Sequence, residues 1–317
     1  MTEQAKIDFE KTVKTLDLTE AEVKLKKQSL DKFISNGFPS RKLEDWKFSD
    51  INQIIQKNIG DLSFHNDYSL SNKIDTSVFV DGLEHNKIVF INGRIEKVDL
   101  SYEDENNVEL NETLSSKNEI KNSNSLIDLN SAFTNKIYKI LIKKDYHFKK
   151  PLIIYHITNN KVKSRNFNIR LEFKLEQNSS LRLIDYLNYN SEKNFINIFY
   201  NFDLKKDSIL KNYKIDNNLN KNIGYLFNNI IQDENSISEN FILSCGSSFL
   251  KNEINCDLQG NYSSAFINGI FSLTDNQQHE IRTSINHLTE NTKSYQLIKS
   301  VLGKESRAVY QGKIFVN

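Results

Sequence analysis

The residues able to do chemistry are few. Cys245 and Cys256 are the only cysteines in 317 residues, and they are joined by six histidines. A structural zinc site or an iron–sulfur cluster held by one chain needs about four ligands with thiolates prominent among them, so two cysteines fall short, and a disulfide framework is excluded by the same count. Cys256 alternates in step with Ile254 and Leu258, and Cys245 with Phe241 and Leu243, which predicts that both thiols face the core as small packing groups. A thiolate that carries sulfur or holds iron would need a cationic, partly exposed setting, which the surrounding residues do not supply. His279 and His287 flank a run in which Ile281 and Ile285 mark the inner face with the apolar parity shifted by one, so a bulge or turn and surface histidines are expected there. Eight residues of extended chain span roughly 27 Å at ~3.3 Å per residue, too far for one metal. His65, His85, His147 and His156 have no cysteine or carboxylate at a metal-ligand spacing.

Hydrolysis of a polysaccharide would call for paired carboxylates projecting from one sheet. The places that match Asp185 in the successive repeat units described below are held by Tyr213, Phe241 and Gly269, so no such column is expected. The chain has no GxxxxGK[ST] phosphate loop, no GxGxxG before a helix and no GxSxG elbow. Catalytic, cofactor-binding and metal-ligating residues are therefore all expected to be absent.

These side chains must be positioned by elements that the sequence also announces. Lys plus Arg number 42 against 41 for Asp plus Glu, leaving a formal charge of +1, which gives no field to draw in nucleic acid or anionic lipid. The first thirty residues mix Glu and Lys and no stretch approaches a membrane span, so an unexported cytoplasmic protein is expected, in keeping with sparse cysteine in a reducing compartment. With only 2 prolines and 10 glycines, Asn and Asp are expected to make the turns.

Residues 19 to 35 read as a helix: Thr19 and Glu22 have capping-box spacing, Val23, Leu30, Phe33 and Ile34 form an apolar stripe, and Gly37 and Pro39 stop it. A further helical turn or two should hold Trp46, Ile51, Ile54 and Ile55. Residues 60 to 84 read as a connector, and 87 to 94 as a strand with an Asn-Gly turn. The acidic, Asn-rich interval 101 to 125 reads as a surface insertion.

After Leu126 short strand-like runs recur. Ser180, Ser208, Ser236, Ser264 and Thr292 are evenly spaced, each opening a run. Leu181, Ile209, Ile237 and Ala265 follow one position later and Leu187, Ile215, Leu243 and Phe271 seven later, while Ile198, Leu226 and Ile254 belong to a second strand of each unit. A strand-built period of about 28 residues indicates a solenoid, and it is too short for a four-stranded propeller blade. The expectation is a mainly β protein: a right-handed parallel β-helix of about 28 residues per coil over 126–317, a connector over 61–125, and a helical domain over 1–60. The helices could cover one open end of the solenoid; the other, finishing on Ile314, Phe315 and Val316, calls for a partner or a continuation of the chain.

Trp46, the single tryptophan, lies in PSRKLEDWKFSDI, where it could simply anchor a short helix. In that segment Pro39, Arg41, Glu44, Asp45, Trp46, Lys47, Phe48 and Ser49 resemble the P-x-R-x-x-E-D-W-K-[YF]-[ST] signature of the SufD/SufB family of SUF iron–sulfur cluster assembly proteins, nearest the SufD branch. IVFINGR at 88–94, LNSAF at 129–133, KPLIIYHI at 150–157 and the stretch from His279 to Val316 resemble the family in the same order. The resemblance implies a helical N-terminal domain followed by a right-handed β-helix. It also implies a scaffold role without catalysis, pairing with SufB and with the SufC ATPase, and an iron–sulfur cluster met only transiently or through the partner. Family members continue past Gly-Lys-Ile-x-Val with further coils, a Cys-x-His-Gly segment and helices that dock SufC, so a C-terminally truncated member is expected. A carbohydrate-active β-helix, or a solenoid that hides its open edge in a homodimer, are the competing readings.

Overall fold

The computed structural model describes residues 1–66, 76–114, 124–159, 162–189, 191–216 and 221–316. Strands dominate it, and they stack as a parallel β-solenoid. Numbered in chain order, the strands are β1 (Asn86–Ile91), β2 (Arg94–Asp99), β3 (Val108–Thr113), β4 (Ile137–Ile142), β5 (Leu152–Thr158), β6 (Asn166–Leu175), β7 (Ser180–Tyr189) and β8 (Phe195–Leu204). They continue with β9 (Ile209–Asp216), β10 (Ile223–Gln232), β11 (Ile237–Ser244), β12 (Phe249–Leu258), β13 (Ser264–Leu273), β14 (Gln278–His287), β15 (Lys293–Leu302) and β16 (Arg307–Val316). One sheet runs β2-β1-β5-β7-β9-β11-β13-β15 and the other β3-β4-β6-β8-β10-β12-β14-β16. Each coil thus gives one strand to each sheet. All neighbours are parallel except at the first end, where β2 returns antiparallel on β1 through Asn92 and Gly93, both at positive φ, and β3 pairs antiparallel with β4.

Turns between coils are made largely by Asn and Asp in the left-handed region, where a short polar side chain is tolerated. Seven of the eleven non-glycine residues with positive φ among the described residues are of these types: Asn92, Asp145, Asn178, Asp207, Asn235, Asp275 and Asn291. The next position is often a buried Ser that closes the turn. Ser179, Ser208, Ser236 and Ser263 each donate from Oγ to the carbonyl three residues back, and Thr292 does the same.

That ladder corrects the even count. Partners along the first sheet step from Ser180 to Ile209, Ile237, Ser264 and Lys293, so one coil can be a residue longer or shorter than the next. Because side chains alternate faces, a one-residue slip exchanges inside for outside. Leu181, Leu210, Ser238 and Ala265 form the true inner column, and Ile209 and Ile237 point outward. Leu187 likewise aligns with Asp216, Ser244 and Phe271, leaving Ile215 and Leu243 on the outer face. Ile198 pairs with Leu226 as expected, but Leu226 pairs with Asn252 and not with Ile254.

Four α-helices occupy the described residues: α1 (Thr2–Thr15), α2 (Glu20–Asn36), α3 (Ile51–Asn58) and α4 (Ser125–Phe133). The Thr19–Glu22 capping box opens α2 with both reciprocal bonds made. The helices do not cover an end of the solenoid, as the sequence suggested they could. They lie along its side, where Ala5, Phe9, Phe33, Trp46, Ile55 and Phe133 bury against Phe195, Phe199, Tyr225, Phe227 and Phe249 on the outer face of the second sheet. LNSAF therefore belongs to a helix, α4, whose Asn130 Nδ2 bridges the carbonyls of Ile169 and Asn197 on adjacent coils. The interval read as an insertion contains β3, and its residues 115–123 lie outside the described part, as do 67–75 of the connector.

Candidate functional site

Glu44–Trp46 forms one turn of 3₁₀-helix after the buried Pro39, and this short element clasps the helical layer to the side of the solenoid. Trp46 is buried with its ring 5.6 Å from that of Tyr225 on β10, so it anchors the short element on the sheet. The Lys251 ammonium sits 4.4 Å from the indole centroid, donates to the Asp45 carbonyl at 2.6 Å and pairs with Glu280 at 2.9 Å. A buried cation held by a carboxylate, a carbonyl and an aromatic face meets its desolvation demand on three sides.

Asp45 Oδ1 accepts from Arg282 at 2.8 Å and from Lys313 at 3.2 Å, and Arg282 turns its other nitrogen to Glu253 at 2.5 Å. Glu44 pairs with Lys313 at 3.1 Å. The Glu253 carboxyl is raised from its usual range by burial, against the opposing pull of Arg282 and Lys251. Of the motif residues, Pro39, Glu44, Asp45 and Trp46 thus meet at or beside the clasp, whereas Arg41 is exposed. All these partners lie far off along the chain, which is why the motif alone could not show what it grips.

A second polar centre lies inside the solenoid. Lys214 on β9 follows Asp185 on β7 in the same inner column, and its Nζ reaches Asp185 Oδ2 at 2.5 Å. His156 on β5 places Nε2 2.8 Å from Asp185 Oδ1 and 3.1 Å from the Tyr200 hydroxyl, and the Lys214 ammonium lies 4.0 Å from the Tyr200 ring centroid. All four side chains are essentially inaccessible. Burial raises the Asp185 carboxyl, but Lys214 and His156 outweigh it and leave the group well below its ordinary value. Burial lowers the Lys214 ammonium despite Asp185, and burial with the adjacent carboxylate raises the Tyr200 phenol. The sequence offers His156 no companion and Asp185 no ionic neighbour. The Lys214 pairing escapes an even count because this coil is one residue longer, so Lys214, not Tyr213, lies beside Asp185, while His156 reaches Asp185 diagonally from its place beside Leu187.

His279 is a third correction. It is fully buried on the inner face of a continuous β14, which has no bulge between Ile281 and Ile285. Its Nδ1 lies 2.7 Å from Ser244 Oγ and its Nε2 2.6 Å from the Ser247 carbonyl, so Nε2 carries the proton and Nδ1 accepts. Burial pushes its pKa down to about 4. His287, by contrast, is half-buried between Thr292 and Ser294. Beside His279's loop, Asp216 accepts from Ser247 N at 3.0 Å, and burial pushes its carboxyl up to about 6.

The thiols are separated. Cys256 lies wholly inside the solenoid, and burial pushes it up to about 12. Cys245 lies just past β11, is half-buried and donates to the Asp216 carbonyl at 3.2 Å; burial also raises its pKa, so neither thiol is poised as a thiolate. Among the described residues no three His, Cys, Asp or Glu side chains converge as a metal site, and no helix is long and apolar enough to cross a membrane.

At the far end, β15 and β16 each have one unpaired edge among the described residues. Their apolar side chains are open: Val301 is 70% exposed, Val316 78%, Ile314 56% and Phe315 51%.

Comparison with known proteins fits this architecture. The chain is 22% identical over 298 residues, covering 91% of its own length and 68% of the other's, to the iron-sulfur cluster assembly protein SufD of Escherichia coli strain K12. Residues 156–317, more than half the chain and the coils that carry both buried polar centres and the open end, match the family model described as SUF system FeS cluster assembly, SufBD core domain, and the protein belongs to that family.

Proposed function

We propose that this chain is a non-catalytic subunit of the SUF iron–sulfur cluster assembly system, which pairs with a second solenoid subunit of the SufB kind and works alongside the SufC ATPase. The observation that carries the reading is the parallel solenoid itself, whose coils over residues 156–317 match the SufBD core model. The shifted groups support a passive role. Asp185 and Lys214 neutralise each other inside the rod, His279 is held neutral by burial, and both thiols are raised. A polysaccharide-cleaving reading loses its best carboxylate, because Asp185 faces the interior and not an outer groove.

The test is co-expression of tagged protein with SufB and SufC, followed by pull-down and light scattering. The expected result is a complex retaining SufB. A chain that stays strictly monomeric beside both subunits sinks the proposal, and a homodimer that excludes SufB replaces it with self-association.

A further inference from the structure

Orphaned polar atoms inside the solenoid mark sites for a ligand that nothing so far has used. His156 Nε2 faces the Asp185 carboxylate, which fixes the proton there and leaves Nδ1 as an acceptor. Nδ1 has no hydrogen-bond partner, although the residue is 1% exposed. Its neighbours along the sheet are Phe90 and Leu187, which can offer none. The same side chain lines a small pocket with Phe90, Gly93, Thr158, Tyr189 and Ile196, in which about 10 Å³ is open to a solvent centre. That is close to the room one water molecule needs.

Two to three coils further on, the interior repeats the pattern. Asn212 donates to Asn240 Oδ1 at 3.1 Å, which leaves Asn212 Oδ1 and Asn240 Nδ2 bare. Asn228 Oδ1 is bare as well, and Asn252 has neither amide atom satisfied. Exchanging O for N in Asn252 changes nothing, since both ends lack partners. Its ladder neighbours are Leu226 and Ile281. A buried amide with both ends unpaired carries an uncompensated desolvation penalty, so a small molecule that both donates and accepts is required.

We infer that the interior of this solenoid binds ordered water, one molecule on His156 Nδ1 and others on the unsatisfied amide atoms of Asn212 and Asn240 in the first sheet and of Asn228 and Asn252 in the second. An anion does not suit a site beside Asp185 that offers only an acceptor, and the amide group carries no charge to hold an ion. Water supplies the missing donor at His156 and both kinds of bond at Asn252. These waters belong to the core of the rod and do not depend on any partner.

A high-resolution crystal structure of the protein is expected to show isolated density within hydrogen-bond distance of His156 Nδ1 and of the Asn252 amide. Oxygen-17 relaxation dispersion in solution should count the same long-lived waters, and Asn252→Leu should lose at least one of them. The inference is overturned if those positions are empty with the side chains bonded directly to protein groups, if xenon under pressure occupies the His156 pocket, or if relaxation detects no buried water.

Discussion

Removing the Asp185 carboxylate would leave the Lys214 ammonium inside the rod with no counter-charge. Breaking a buried pair from one side is costly, so Asp185→Asn should destabilise by about 3–5 kcal/mol in urea unfolding, and adding Lys214→Met should recover much of the loss. A double variant no better than the single would show that the pair does not act as a unit. Asp216 and His279 make opposite demands on pH. Asp216 titrates at about 6 when folded against an ordinary 3.8, so the native state holds that proton longer, and its contribution falls as pH rises from 4 to 6. His279 titrates at about 4 against an ordinary 6.5, so the unfolded chain binds the proton first, and stability falls as pH drops from 6.5 to 4. Each shift amounts to about 3 kcal/mol, and over the shared window the two slopes largely cancel. Asp216→Asn should therefore expose a stability that declines steadily below pH 6.5; a flat profile in that variant would contradict the assignment.

Among elements, the clasp and the turns are the places where single residues decide the most. Trp46→Ala removes a buried indole from between Tyr225 and Lys251 and should cost about 3–5 kcal/mol, seen first as faster proteolysis around residues 37–50. Asn235 sits at φ 56, so Asn235→Gly should be neutral or slightly stabilising, whereas Asn235→Val should cost about 1–2 kcal/mol in the same unfolding assay. The elements themselves were largely legible: the capping box announced α2, Asn92-Gly93 the first hairpin, and alternation the coils. What was not legible is register. Turns that differ by one residue leave each strand's pattern intact while changing which residue lies beside it in the next coil, so an even count puts Ile209 in the core and strips Asp185 of its partner. The clasp was hidden for a related reason, because the charges that hold Asp45 arrive from β14 and β16, and nothing local to the motif signals them.

For the whole molecule, the first end of the solenoid is closed by its own chemistry. It finishes on β2, whose Arg94, Glu96 and Lys97 are exposed charges on an edge strand, a common device against unwanted pairing.

Sealing of this kind has a consequence for assembly: a hairpin that presents alternating charge offers no template to a second backbone, so the rod is not lengthened from its first coil.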